Sequence, residues 1–220
     1  MRVTDIRKLH AELVEIHGMP RRSDNNDSMR QLVTTILSQN VADTQTARAS
    51  KDLFAAYPDY RMMEEADTEE LAGVIQTVGL KNQKAQRIQR TLRAVRKEAG
   101  GEYSLSFLED MGTEEAQAWL ENIKGIGPKT ASVVLSFSFE KPSFPVDTHV
   151  ERLSKRFGLI GESVTNERAH RELNELVPDD LKYPLHVLLI QHGREFCTAR
   201  NPDCDNAVCE SFCSCELCQQ

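Results

Sequence analysis

A lysine near the start of a predicted helix is the first candidate for chemistry in this sequence. Lys129 follows the turn Gly125-Ile126-Gly127, and Pro128 suits the first position of a new helix. The two glycines allow positive φ and close approach of another backbone. A helix start reached through such a turn presents backbone N–H groups to an anion, and a DNA phosphate fits there. The sequence therefore predicts a helical hairpin with an anion site at its tip.

The same position favours a nucleophilic amine. The positive end of a helix dipole opposes an ammonium at Lys129 and favours the neutral amine that attacks an electrophile. A second candidate, Asp147, stands in Val146-Asp147-Thr148-His149 at a predicted helix start, where a carboxylate is also a common N-cap. From spacing alone, a non-catalytic clip for DNA phosphates is the commoner interpretation of such a hairpin.

The cysteines form the second chemical feature of the chain. All six fall between Cys197 and Cys218. The rest of the sequence is typical of an intracellular protein, which favours a metal or cluster site over three disulfides. Thiolates at these spacings could hold zinc or an iron–sulfur cluster, and the spacing does not decide between them.

The charge distribution is uneven. The net charge of −7 argues against binding DNA by overall attraction. However, basic side chains dominate residues 81–99, and acidic ones dominate residues 59–70. We therefore predict a polarised molecule whose acidic surface lies away from an anionic substrate, with two ordinary solvated helix faces as the alternative.

Apolar residues recur at helical spacing through most of the chain, and strand-like alternation is absent, so the fold class is predicted to be all-α. Asp43 and Thr68 are candidate N-caps. No apolar run approaches a membrane span, and the first residues carry charges where a signal peptide needs an apolar core. We expect a cytoplasmic monomer without a membrane partner. Helices are predicted at 6–17, 28–37, 43–57, 68–78, 131–137, 148–157, 166–176 and 181–191. A further helix includes residues 85–95, and another ends at residue 124.

Two motifs together resemble the helix-hairpin-helix DNA glycosylase superfamily, in particular its endonuclease III branch. The hairpin motif is Gly125-Ile126-Gly127-Pro128-Lys129-Thr130-Ala131, and the second motif is Val146-Asp147-Thr148-His149-Val150. The resemblance implies a two-domain all-α fold, with a helical barrel at 26–138 and a second domain formed by 1–25 with 139–220. It also implies that Lys129 and Asp147 remove damaged, oxidised pyrimidines from double-stranded DNA and cleave abasic sites.

The resemblance further implies residues that probe DNA. In this family a glutamine side chain fills the gap left by a flipped nucleotide. In the register fixed by Asp43 the matching residue here is Asn40, and either Asn40 or the adjacent Gln39 could serve this role. A leucine on a second loop wedges between bases, which matches Leu80. The remaining predicted DNA contacts lie beside these loops and on the two motifs: Lys81, Lys84, Gly125, Gly127, Thr130, Thr148 and His149.

For the cysteines, the resemblance implies a 4Fe-4S cluster with a structural role. The first family spacing is present as Cys197-x6-Cys204, after His192-Gly193-Arg194. The sequence then departs from the family pattern. A two-residue insertion restores the final spacing as Cys209-x5-Cys215, so we predict these four ligands. The alternates are Cys213 and Cys218.

Two other functions remain open from the sequence. A mismatch-specific glycosylase would remove a base without strand cleavage, although such relatives generally lack lysine at the position of Lys129. A cluster-containing module that binds DNA without catalysis is the alternative from a different class.

Overall fold

The computed structural model describes residues 3–22 and 27–213. All regular elements in these ranges are helices, which confirms the predicted all-α class. None of these helices combines the length and apolar character needed to cross a bilayer. The chain divides into two compact units, one formed by residues 25–139 and the other by residues 1–24 with 140–220.

The unit of residues 25–139 contains eight helices around one apolar core. Its hairpin helices α8 (Thr113–Glu121) and α9 (Pro128–Ser138) pack on each other, and α9 also packs on α2 (Ser28–Ser38). The last helix supplies buried Ala131, Val134 and Leu135 to this core, as expected for a central helix. The helices are α2 (Ser28–Ser38), α3 (Asp43–Ala56), α4 (Tyr60–Glu65), α5 (Thr68–Val74), α6 (Lys81–Glu98), α7 (Phe107–Asp110), α8 (Thr113–Glu121) and α9 (Pro128–Ser138).

The unit of residues 1–24 and 140–220 has a separate core. Its first helix, α1 (Val3–His17), packs against the long helix α12 (Lys182–Glu195), which also packs against α10 (Thr148–Arg156). Apolar residues spaced along these helices, such as Ile6, Leu153 and Leu188, are fully buried. A short 3-10 helix, Asp179–Leu181, precedes α12. The α-helices are α1 (Val3–His17), α10 (Thr148–Arg156), α11 (Asn166–Leu176), α12 (Lys182–Glu195) and α13 (Ala207–Phe212).

Two predicted helix caps were wrong by one residue. Ala42 occupies the N-cap of α3, and Asp43 is the first helical residue. At α5 the cap is Asp67, whose carboxylate accepts hydrogen bonds from two backbone amides. Thr68 instead donates its hydroxyl to Gln89 Oε1 at 2.8 Å. An aspartate competes well for a cap because its charge also complements the helix dipole.

The predicted separation of acidic and basic segments is also wrong in one place. Glu64 of the acidic segment is buried and accepts hydrogen bonds from Arg96 at 3.0 and 2.8 Å and from the Tyr103 hydroxyl at 2.8 Å. Burial alone would raise the pKa of Glu64, but these hydrogen bonds outweigh burial and lower it. The acidic helix α4 therefore packs on the basic helix α6 and neutralises part of it.

Candidate functional site

The turn between α8 and α9 forms the tip of the predicted hairpin. Ile123 and Ile126 are buried in the core and anchor the turn from below. Gly125 has φ +104°, and a Cβ atom built there would lie 2.2 Å from Nε of Arg87, so this position requires glycine. Gly127 precedes α9 with φ −105° and open space around its Cα. Only the first glycine is thus required by the fold itself, and the second leaves the tip open.

Gln39 holds the hairpin from the end of α2. Its Nε2 donates to the Gly125 carbonyl at 3.3 Å and to the Thr130 hydroxyl at 3.0 Å, while its Oε1 accepts a hydrogen bond from the Arg87 guanidinium. Thr130 itself is buried. These contacts give Gln39 a structural role at the hairpin. Arg87 was missed in the sequence because nothing distinguishes it from the other basic residues of α6.

Asn40 and Leu80 form two exposed tips on the same unit. Both have left-handed backbone conformations, with φ of 56° and 58°. Such a conformation is strained for a leucine. The Leu80 side chain is 61% exposed, so it does not pack beneath its own loop. Lys81 follows it and is also exposed. A strained, exposed apolar tip is costly for folding alone, and such sites are typical of function.

Lys84 was predicted to contact DNA, but its side chain is buried in the protein interior. Its side chain is 2% exposed, and its ammonium donates to the Leu37 carbonyl at 2.7 Å. In this structure Lys84 therefore does not offer its charge to a phosphate. A sequence cannot distinguish such a lysine from its exposed neighbours, because both occur on a basic helix.

Lys129 is the second residue of α9 and is exposed. Within the residues that the structure describes, its ammonium has neither a hydrogen bond nor an ion pair. Position N2 places it beside the first backbone amides of the helix, which lack partners inside the helix. The lysine therefore combines an exposed amine with a helix start whose amides and dipole favour an anion.

Asp147 lies in the other unit and caps α10. Its Oδ1 accepts a hydrogen bond from the Val150 amide at 2.8 Å, as predicted for an N-cap. Its second oxygen has no hydrogen-bond partner among the described residues. Thr148 is exposed at the first position of the helix. His149 Nδ1 lies 3.1 Å from the Arg152 guanidinium. Capping thus leaves one carboxylate oxygen available for chemistry.

Cys197 lies beside buried positive charge. Cys197 is fully buried, and Arg156 Nη1 donates to its sulfur at 2.9 Å. Arg152 donates to the Cys197 carbonyl at 3.1 Å. Guanidinium groups favour thiolates, so this chemistry fits a site for a metal or an iron–sulfur cluster. The sequence reasoning did not single out either arginine.

Three of the four predicted cluster ligands, Cys197, Cys204 and Cys209, lie within the described residues. Cys209 is buried, whereas Cys204 and Cys213 are half-buried. Over residues 3–22 and 27–213, no three cysteine, histidine or acidic side chains come together as a metal site. Cys215 and Cys218 lie outside the described residues. The thiols and the neighbouring guanidinium groups therefore have the donor chemistry that the predicted cluster requires.

Two histidines extend the cysteine region into the core of this unit. His192 Nε2 lies 3.9 Å from the Cys209 sulfur, and its Nδ1 lies 3.1 Å from His17 Nε2. Burial, and next the neighbouring His17, lowers the pKa of His192 to about 4. The His192 ring is therefore neutral near neutral pH. His17 was missed because it is far from the cysteines in sequence.

Comparisons with known proteins agree with this architecture. Residues 33–179 match the family described as HhH-GPD superfamily base excision DNA repair protein. Endonuclease III of Thermotoga maritima is 34% identical over 94% of this chain and 92% of its own length. Endonuclease III of Escherichia coli K12 is 33% identical over 83% of this chain and 81% of its own length.

A solved structure extends the similarity to three dimensions. A trapped endonuclease III–DNA covalent intermediate has a TM-score of 0.82 and 27% identity, with 97% of this chain and 96% of that chain covered. The hairpin, the all-helical fold and the sequence similarity together show that the chain belongs to the HhH-GPD superfamily of base excision DNA repair proteins.

Proposed function

We propose that this chain is a DNA glycosylase that removes oxidised pyrimidines from duplex DNA and cleaves the resulting abasic site by β-elimination. The observation that carries the proposal is the exposed amine of Lys129 at the anion-binding start of α9. The relatives named endonuclease III support it, as does the covalent complex with DNA formed by one structural neighbour. A binding clip needs a lysine only as a cation, whereas a covalent intermediate needs its nitrogen as a nucleophile.

In the proposed mechanism, the neutral Lys129 amine attacks C1′ of the damaged nucleotide. The N–C1′ bond forms as the glycosidic bond breaks, and the base leaves with the electron pair and takes up a proton. Opening of the sugar ring then gives an iminium ion between Lys129 and C1′. Loss of a proton from C2′ expels the 3′-phosphate, which cleaves the strand. Hydrolysis of the iminium ion releases the enzyme.

Asp147 is proposed to accept the proton that Lys129 must lose and to stabilise positive charge on the sugar. Its oxygen that does not cap α10 is the one available for this role. The exposed Thr148 and the neighbouring His149 are proposed DNA contacts at the start of the same helix.

The DNA-probing roles are proposed for the two exposed tips. A base inside a duplex must be flipped out before its C1′ can be attacked. Leu80 is suited to wedge between bases, because an apolar side chain unstacks them. Asn40 is proposed to fill the vacated space, since Gln39 is held by the hairpin. Lys81 and the amides around Gly125 and Gly127 would bind the backbone phosphates.

The test is trapping with borohydride, which reduces an iminium ion to a stable protein–DNA adduct. The wild-type protein should form the adduct on a duplex with an oxidised pyrimidine and should nick that strand. Lys129→Gln should abolish both. Lys124→Gln is the matched control, because Lys124 is an exposed lysine in the same turn, and it should retain the adduct.

Three outcomes would contradict the proposal. An adduct with Lys129→Gln would place the nucleophile elsewhere. Base release without nicking, on a panel of single lesions and mismatches, would favour a monofunctional mismatch glycosylase. Duplex binding with no release of any base would favour a non-catalytic DNA-binding module.

We also propose that a 4Fe-4S cluster is held by Cys197, Cys204, Cys209 and Cys215. When bound, such a cluster supplies a rigid cross-link for the C-terminal segment. Anaerobic purification should give broad visible absorption with iron and sulfide in equal amounts, whereas zinc would give no colour. Cys215→Ser should lose the cluster and Cys213→Ser should keep it. The reverse result would exchange their roles.

A further inference from the structure

Lys84 is among the largest fully buried side chains of the described residues. Burial, and next the charge of Arg87, lowers the pKa of Lys84 to about 8. In the part of the chain that the structure describes, no carboxylate lies within ion-pair distance of its ammonium. A buried cation without a counter-ion is costly. The burial of Lys84 therefore indicates a role other than packing.

The side chain of Lys84 completes the end of α2. Its ammonium donates to the Leu37 carbonyl at 2.7 Å, at the negative end of the helix dipole. The Val41 amide, which would continue the helical pattern to Leu37, instead donates to the Ser38 carbonyl at 3.1 Å. An apolar side chain at position 84 would leave the Leu37 carbonyl buried without a partner.

The main chain of Lys84 also fixes the loop before α6. Its amide donates to the Leu80 carbonyl at 3.0 Å, the first hydrogen bond of that helix. Leu37 lies three residues before Asn40, and Leu80 lies four residues before Lys84. One residue therefore contacts the backbone behind both exposed tips, each of which is held in a left-handed conformation.

We propose that Lys84 is a positioning residue that sets the spacing between the Asn40 and Leu80 tips and so governs base flipping. This role rests on the proposed function, because it requires both tips to enter the base stack. It predicts that Lys84 acts on the opening of the base pair and not on the chemistry at Lys129.

The experiment compares two duplexes that carry the same oxidised pyrimidine, thymine glycol. In one duplex the lesion lies opposite adenine. In the other it lies opposite a stable abasic analogue, which lowers the cost of flipping. Single-turnover base release is measured for the wild type, Lys84→Met and Val95→Ala. Val95 is buried on α6 eleven residues away, so its truncation weakens the same helix without touching either tip.

Lys84→Met should slow release from the paired lesion about 10- to 100-fold, the rate equivalent of one lost hydrogen bond to a charged group. On the unpaired lesion its rate should stay within about twofold of wild type, because flipping this nucleotide out of the duplex costs less. Val95→Ala should change both rates by the same factor. Lys84→Met should still form the borohydride adduct on a preformed abasic site.

Two results would overturn the inference. Equal losses on both duplexes would make Lys84 a structural residue only, and no loss on the paired lesion would remove any role in flipping. These results differ from a failure of the proposed function. In that case the wild-type protein itself would release no base from either duplex.

Discussion

Replacing Gly125 by alanine should lower the free energy of unfolding far more than the same change at Gly127, the other glycine of the hairpin. A Cβ at this position would lie 2.2 Å from Nε and 2.7 Å from Cδ of Arg87. The atoms lie in the middle of the arginine side chain, so the whole guanidinium would have to move. Its hydrogen bond to Gln39 would then be lost, and Gln39 is the residue that holds the hairpin.

The magnitude follows from three contributions. A non-glycine residue near φ +104° costs about 1–3 kcal/mol. Loss of the hydrogen bond from Arg87 to Gln39 costs about 1.5–3 kcal/mol. Alanine regains about 0.4–1 kcal/mol by restricting the unfolded chain. Gly125→Ala should therefore lower the free energy of unfolding by about 2–5 kcal/mol.

Gly127→Ala is the matched control, because its φ of −105° suits alanine and no atom lies near the new methyl group. Its free energy of unfolding should change by less than about 1 kcal/mol. Urea unfolding followed by circular dichroism measures both variants. DNA binding should nevertheless weaken in Gly127→Ala, where the methyl group would meet the proposed phosphate. Equal stability of the two variants would refute the steric argument.

Four further predictions concern single side chains. Asp147→Ala should lose about 1 kcal/mol of unfolding free energy, because the cap on Val150 is lost, whereas Asp147→Asn keeps the cap. Both should slow excision, and full activity of the asparagine variant would exclude the carboxylate. Leu80→Asn should raise the unfolding free energy by about 1 kcal/mol by relieving the left-handed leucine, yet slow excision of a paired lesion. Glu64→Gln should lower the unfolding free energy by about 1–3 kcal/mol. This difference should fade in acid, as the lowered pKa of Glu64 makes its stabilisation disappear when pH falls through that pKa. For Lys84, whose folded pKa of about 8 lies below its unfolded value, stability should rise with pH from about 8 to about 10.4. Urea titrations of Lys84→Met should lack that rise, and an identical rise in both proteins would contradict it.

The sequence by itself determined the fold class and the family. Helical spacing of apolar residues reports local periodicity, which neighbouring residues impose whatever their tertiary partners. The two motifs around Lys129 and Asp147 could likewise be recognised, because a turn glycine, a helix-starting proline and an N-cap act over a few residues. The cluster of cysteines between Cys197 and Cys218 is visible for the same reason, as its ligands are close in the chain.

Only the tertiary structure decided where each of several similar side chains lies. Gln39 and Asn40 are adjacent amides, yet one holds a turn 86 residues away and the other is exposed. Lys81 and Lys84 share a basic helix, yet one is exposed and the other is buried. Burial and long-range hydrogen bonds depend on which helices pack together. A local pattern carries no information about that packing, since the same basic or amide side chain suits both environments.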